Sequence, residues 1–113
     1  MEIPQRTSND VLILEPAGRM TIGEADYALK QAVTAAADDN VRKLLLNLEA
    51  VTYMDSAALG ELLASRQTMT DHGGEMRICC LQARVRTLLE ITGLLDALNV
   101  HASEAEALQA FAD

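Results

Sequence analysis

Apolar residues along the chain switch between short consecutive runs and helical spacing. The segments 11–14 and 42–48 contain uninterrupted apolar runs, which predict strands; the second run is typical of a strand buried on both faces of a sheet. Between these segments, Ala25, Leu29 and Val33 recur at the spacing of one helix face. The pattern therefore predicts a strand, a helix and a second, central strand.

The rest of the chain continues this alternation. The other predicted elements are an edge strand over 3–7, a turn at 8–10, a helix from Ser56 to about His72, a strand over 75–81, a short helix around 85–89, a short strand over 97–101 and a last helix after Ser103. This order is typical of an α/β fold with mostly parallel strands and right-handed crossovers. We predict one domain, residues 1–113, with four helices and a mixed, mostly parallel sheet of about five strands.

Capping-box sequences precede two of the predicted helices. Thr21 is followed three residues later by Glu24, and Ser103 is followed in the same way by Glu106. In such a box the hydroxyl accepts a hydrogen bond from the helix, and the carboxylate reaches back to the cap. The pattern predicts that one helix starts near Ile22 and that the last helix starts after Ser103.

The segment 53–60, Tyr-Met-Asp-Ser-Ala-Ala-Leu-Gly, places a lone hydroxyl between strand-like and helical sequence. Ser56 is predicted at or beside a helix N-cap, where unpaired N–H groups and the helix dipole favour an anion. Leu59 stands where a capping box has its carboxylate, so we expect this helix start to be bare. Two interpretations stay open: a simple cap worth about 1 kcal/mol, or a surface left free for a phosphate or a partner.

Composition and charge narrow the function classes. Half of the 113 residues are hydrophobic but only 3% are aromatic, so we expect an aliphatic core. The net charge of −8 argues against binding to a nucleic-acid backbone or an acidic membrane, and a basic protein partner fits better. The N-terminus lacks signal-peptide features and no apolar run has the length of a membrane span, so we expect a cytoplasmic protein.

Catalysis is not expected from this sequence. A nucleophilic Ser56 needs a nearby base, and His72 would lie about 24 Å away at the far end of the same helix. Met54 and Ala58 stand where the nucleophile elbow G-x-S-x-G has glycines. Asp55 has no second carboxylate at a recognisable spacing, so we expect it to shape the turn.

The two cysteines, Cys79 and Cys80, are adjacent in the sequence. On a strand they would point to opposite faces, so we expect no disulfide between them. No Cys-x-x-Cys pair or zinc-ligand spacing occurs, and we predict no metal and no cofactor.

The chain resembles the STAS domains, specifically the small bacterial anti-sigma factor antagonists, over nearly its whole length. The segments that carry the resemblance are Leu46-Asn47-Leu48, 53–60, Gly73-Gly74-Glu75-Met76, and 85–89 with Thr92-Gly93-Leu94-Leu95. The resemblance implies that the unmodified protein binds an anti-sigma factor and thereby releases a sigma factor. It also implies that the anti-sigma factor, often an ATP-dependent serine kinase, phosphorylates Ser56 and that a metal-dependent, PP2C-type phosphatase resets it. The protein would be the substrate and not the enzyme.

The resemblance also implies a partner-binding surface around the serine, formed by Asp55, Ser56, Ala57, Leu59, Gly60, Met20 and Thr21. Ala58 stands where the family usually has glycine; its methyl group either narrows the approach to Ser56 or is harmless within the helix. Thr21 stands near the place where many relatives have an acidic residue. An alternative function is a subunit without a phosphate cycle, in a lipid-transport ATPase or a signalling scaffold. A small-molecule binder is a third possibility that rests on fold analogy alone.

Overall fold

A computed structural model describes residues 2–112, so the end residues of the predicted domain, Met1 and Asp113, lie outside the described residues. The elements in chain order are β1 (Gln5–Ser8), β2 (Val11–Leu14), β3 (Gly18–Met20), α1 (Glu24–Asp38), β4 (Lys43–Asn47), β5 (Val51–Met54), α2 (Ser56–Asp71), β6 (Glu75–Cys79), α3 (Ala83–Ile91), a 3-10 turn (Asp96–Leu98), β7 (Val100–His101) and α4 (Glu104–Ala112).

The main sheet has five strands in the order β1-β2-β4-β6-β7. Strands β1 and β2 form an antiparallel hairpin, and the other neighbours are parallel. The predicted mixed, mostly parallel sheet of about five strands and the four helices are thus confirmed. Strand β4 lies at the centre, which explains why its apolar residues are consecutive and not alternating.

Two hydrophobic clusters lie on the opposite faces of β4. Leu44 and Leu46 belong to the larger cluster, together with buried residues of α1, α2 and α3. Leu45 points the other way, into a smaller cluster that α4 closes with Phe111. The strand pleat produces this division, since successive side chains alternate between the two faces.

A second sheet of two strands, β3 and β5, was not predicted. The strands are parallel, and Met20 lies opposite Met54 at their carboxyl ends. The sequence interpretation instead led the strand over 42–48 directly into the helix at Ser56. Both strands are short and each is interrupted by a polar residue, Arg19 in β3 and Thr52 in β5, so neither shows an uninterrupted apolar run like that of β2.

The start of α1 differs from the prediction. The helix begins at Glu24, its N-cap is Gly23 at φ 105°, and no side chain caps it. The capping box of Thr21 and Glu24 is therefore wrong, because the chain turns at Gly23 before the helix begins. The box of the last helix is confirmed in its first half, since Ser103 Oγ accepts a hydrogen bond from the Glu106 N–H at 3.1 Å.

Left-handed residues shorten two predicted strands. The strand over 75–81 ends at Cys79 because Cys80 has φ 66°, and the strand over 97–101 keeps only its last two residues because Asn99 has φ 52°. The turn at Cys80 also corrects the expectation that the cysteines point to opposite faces: both lie in or against the cluster under α4. Both are free thiols, and burial raises the pKa of Cys79.

Gly74, between α2 and β6, has no room for a side chain. A Cβ atom there would lie 2.8 Å from the Arg42 carbonyl oxygen and 2.9 Å from Cε of Met69. The Arg42 carbonyl is itself fixed by a hydrogen bond from the Glu75 N–H at 2.8 Å. Gly73 ends α2 at φ 78°, whereas Gly74 permits the close approach of two segments.

We expect the substitution Gly74→Ala to lower the free energy of unfolding by about 1–3 kcal/mol, since the added methyl group overpacks a site walled by backbone. The matched control is Gly60→Ala in α2, where no atom lies within 4 Å of the added Cβ. That variant should be more stable than the wild type by about 0.5–1 kcal/mol. Urea denaturation measures both changes, and equal stability of the two variants would contradict the explanation.

Candidate partner-binding site

The starts of α1 and α2 lie side by side. Helix α1 follows β3 and helix α2 follows β5, and these two strands are parallel partners. The two helices also pack against each other. The fold therefore brings the loop 21–23 next to Asp55 and Ser56, which are far away in the sequence.

Asp55 connects the two helix starts by hydrogen bonds. Its Oδ1 accepts from the Ala58 N–H at 2.9 Å, which makes Asp55 the N-cap of α2. Its Oδ2 accepts from the Ile22 N–H at 2.8 Å, in the loop before α1. The Asp55 N–H in turn donates to the Met20 carbonyl at 3.2 Å. One residue thus fixes the end of β3, the loop and the start of α2 relative to one another, and the prediction that Asp55 shapes the turn is confirmed.

The expectation of a bare helix start at α2 is wrong. The carboxylate that caps this helix belongs to Asp55, the residue before the serine, so the interpretation as a helix cap holds for Asp55. Ser56 lies beside the cap, as predicted, at the first position of the helix. Its side chain is exposed, and no described residue forms a hydrogen bond with its hydroxyl group. The cap therefore leaves this hydroxyl without a structural role.

The Asp55 carboxylate is ionised at neutral pH. The hydrogen bonds from the Ala58 N–H, and next from the Ile22 N–H, hold the pKa of Asp55 below its usual range. A fixed negative charge therefore lies next to Ser56. A second anion attached to Ser56 would lie close to this charge.

Small residues form the exposed start of α2. Ser56 and Gly60 are exposed and Ala57 is half-buried. Glycine inside a helix costs about 1 kcal/mol relative to alanine, and nothing within the described chain requires it at Gly60, where a Cβ would lie in open space. Ala58 is fully buried, so its methyl group faces the core and does not stand over Ser56. Of the two alternatives for Ala58, the structure supports the harmless one.

The other expected partner-binding residues lie behind this surface. Met20 is fully buried and Leu59 is only 7% exposed. Their side chains are thus not available to a partner, and the expectation that they contact one is wrong. They pack in the core beneath the site. Thr21 is half-buried in the loop before α1, and its contact with a partner stays a prediction.

Two exposed apolar surfaces were not predicted from the sequence. On α1 and its preceding loop, Ile22 is 76% exposed and Tyr27 is 63% exposed. On α3, Ile91 is 77% exposed and lines a groove together with Tyr53 of β5. The capping box had placed Ile22 inside a helix, so its exposure could not be anticipated.

His72 is the C-cap residue at the opposite end of α2, where its Nδ1 lies 2.8 Å from the Thr68 carbonyl oxygen. It is therefore not a base for Ser56. Within residues 2–112, no group of three or more His, Cys, Asp or Glu side chains is arranged to hold a metal ion. No helix in the same range is both long enough and apolar enough to cross a bilayer.

The sequence profile of the STAS domain matches residues 2–107. The chain belongs to the STAS domain family. It is 27% identical over 108 residues to the anti-sigma F factor antagonist of Paenibacillus polymyxa, an alignment that covers 96% of this chain and 92% of that protein. It is 34% identical over 73 residues to the anti-sigma-B factor antagonist of Staphylococcus aureus, with 65% of this chain and 68% of that protein covered.

Solved structures share the fold of this STAS domain. An anti-sigma-factor antagonist (STAS) domain protein from Planctomyces limnophilus has a TM-score of 0.87 at 19% identity, with 100% of both chains covered. The Bacillus cell fate determinant SpoIIAA in its phosphorylated form has a TM-score of 0.72 at 16% identity, with 96% of this chain and 98% of that chain covered. SpoIIAA in its unphosphorylated form has a TM-score of 0.73 at 15% identity, with 96% of both chains covered. The resemblance inferred from the sequence is confirmed for the family and the fold.

We expect Asp55→Ala to lower the thermal midpoint of this STAS domain, and the loss to depend on pH. The folded-state pKa of Asp55 lies below its ordinary value of 3.8, so the carboxylate stabilises the fold above that value, and this contribution is lost as the pH falls from there through the lowered folded-state pKa. The difference in midpoint between wild type and variant should thus be large at neutral pH and should shrink below about pH 4.

Ser103→Ala is the control, because it removes an uncharged cap from α4. Its loss of thermal midpoint should stay nearly constant over the same pH range. A deficit of Asp55→Ala that is equally independent of pH would show that the charge of the carboxylate is not what stabilises the site.

Proposed function

We propose that this STAS domain is an anti-sigma factor antagonist whose binding is controlled by phosphorylation of Ser56. The unphosphorylated form binds an anti-sigma factor and so releases a sigma factor. The anti-sigma factor, or a kinase associated with it, phosphorylates Ser56 with ATP, and a PP2C-type phosphatase removes the phosphate. The protein acts as a substrate and a binding partner in the cytoplasm and carries no catalytic residue.

The observation that carries the proposal is the exposed Ser56 hydroxyl, which no described residue engages, at the first position of α2. Asp55 already caps the helix, so a change at Ser56 does not remove a cap. Gly60, one turn further on, leaves open space that the fold itself does not need. An exposed hydroxyl on a small-residue surface is what a kinase and a closely packed partner both require.

The relatives agree with this proposal. The Paenibacillus and Staphylococcus proteins are named as antagonists of anti-sigma factors. SpoIIAA, which has the same fold, has been solved with and without phosphorylation. For the present chain, the partner and the modification are inferred from the Ser56 geometry together with these names.

Electrostatics explains how the modification would end binding. A phosphoryl group adds about −1.5 to −2 charges next to the ionised carboxylate of Asp55. A hundredfold loss of affinity needs only about 2.7 kcal/mol, and burial of an unmatched dianion in a packed interface exceeds that amount. The STAS domain itself should stay folded because Ser56 is exposed.

We expect the cognate kinase with ATP to add one phosphoryl group, located at Ser56 by mass spectrometry of peptides. Ser56→Ala should accept none. Ser103→Ala is the control and should be labelled like the wild type, because Ser103 is the cap of α4. Labelling that persists in Ser56→Ala would make the assignment of the modified residue wrong.

We expect Ser56→Glu to bind the anti-sigma factor about a hundredfold more weakly than the wild type, as measured by calorimetry. Thr34→Glu adds the same charge on an exposed position of α1 and should change the affinity by less than about twofold. Equal affinities of the two glutamate variants would contradict the gate at Ser56 and would favour a subunit without a phosphate cycle.

A further inference from the structure

A groove of about 240 Å³ lies between β5 and α3. Its lining includes the apolar residues Met54, Val85, Leu88 and Ile91, together with Tyr53 and Arg84. Tyr53 and Met54 directly precede Asp55 in the chain, so the groove lies at the end of β5 that leads into α2. Ile91 leaves most of its side chain in water, and exposed apolar surface of this kind marks interaction sites.

Two arginines give the groove a local positive charge. Arg84 is part of its lining, and Arg19 lies over the ring of Tyr53, with 4.3 Å between the guanidinium carbon and the ring centroid. Neither guanidinium has an acidic partner among residues 2–112. By contrast, Arg6 and Arg77 are both paired with carboxylates. In a chain with a net charge of −8, one unpaired arginine thus lines the groove and a second one covers its tyrosine.

We infer that this groove binds an acidic amphipathic segment of a partner protein, with an apolar side chain in the groove and carboxylates against Arg84 and Arg19. Charge complementarity selects this occupant, because a basic segment would meet two unpaired guanidinium groups. The inference deepens the proposed function in that the partner is the anti-sigma factor that Ser56 controls. It also explains the gate, since a phosphate on Ser56 would face carboxylates of the partner.

The test uses the full chain, isotopically labelled for NMR, and two synthetic helical peptides of equal length. Both peptides have leucine on one face; one has glutamate on the other face, and the second has lysine. We expect the glutamate peptide to shift the resonances of Tyr53, Leu88 and Ile91 and to bind more tightly than the lysine peptide. Equal binding of the lysine peptide at the groove, or no shift of the groove with either peptide, would overturn the inference.

Variants locate the binding. Arg84→Glu should weaken the glutamate peptide about tenfold, and Ile91→Ser should weaken it as well; both residues are exposed, and thermal melts verify that the variants are folded. Arg66→Glu makes the same change of charge on an exposed position of α2 and should alter the affinity by less than about twofold. If Arg84→Glu and Arg66→Glu weakened binding equally, the interaction would depend only on the net charge of the protein, and the inferred binding at the groove would be wrong.

The outcome is separable from that of the proposed function. If Ser56 is phosphorylated but the glutamate peptide does not bind, the inference about the groove is wrong and the proposed switch stands. If the peptide binds through Arg84 but the kinase does not phosphorylate the protein, the proposed switch is wrong and the inference about the groove stands. The Ser56→Glu variant tests the link between them, and it should bind the glutamate peptide about fivefold more weakly.

Discussion

The carboxylate of Asp55 is the interaction on which the site depends. Its two oxygens accept from the Ala58 N–H and the Ile22 N–H, so one side chain caps α2 and fixes the loop before α1. The β3–β5 pair brings these segments into reach, and the carboxylate then determines how they sit. Backbone N–H groups at helix starts prefer an anion, which is why a fixed charge here stabilises the arrangement. Because Asp55 supplies the cap of α2, the Ser56 side chain stays exposed.

This arrangement separates what the fold needs from what a partner meets. The cap and the buried residues below it, Met20, Ala58 and Leu59, keep the start of α2 in place. Ser56 and Gly60 lie outside and carry no structural load that the contacts reveal. A charge added at Ser56 is therefore nearly neutral for folding in water, where a phosphate stays hydrated, and strongly unfavourable in a dry interface. Under the proposed function, this difference between the two environments would let a single hydroxyl group act as a switch.

The sequence could predict those parts of the protein that follow from local periodicity. The leucines of β4 indicated the central strand, and Ser103 indicated the start of the last helix, because each signal lies within a few residues. The prediction of the first capping box failed because the positive φ of Gly23 cannot be predicted from a Thr-x-x-Glu spacing. The bond from Ile22 to Asp55 spans 33 residues and arises only once β3 and β5 pair. The sequence therefore identified Ser56 as a candidate site residue. It assigned Asp55, which positions Ser56, only a role in the turn.

For a groove that binds an acidic segment as inferred, the net charge of the chain is a poor guide to the charge of the partner. At physiological ionic strength, charges farther apart than about 8 Å are largely screened. The net charge of −8 therefore affects binding less than the charged groups that contact the partner directly. Arg19 and Arg84 are such groups, and Ile91 beside them supplies the apolar anchor. An acidic segment without an apolar face gains too little there to offset the repulsion from the rest of the surface, and an apolar segment without carboxylates leaves the arginines unmatched. Under the proposed function, selectivity comes from the combination of an apolar anchor and carboxylates, and a phosphate on Ser56 would oppose the binding of those carboxylates.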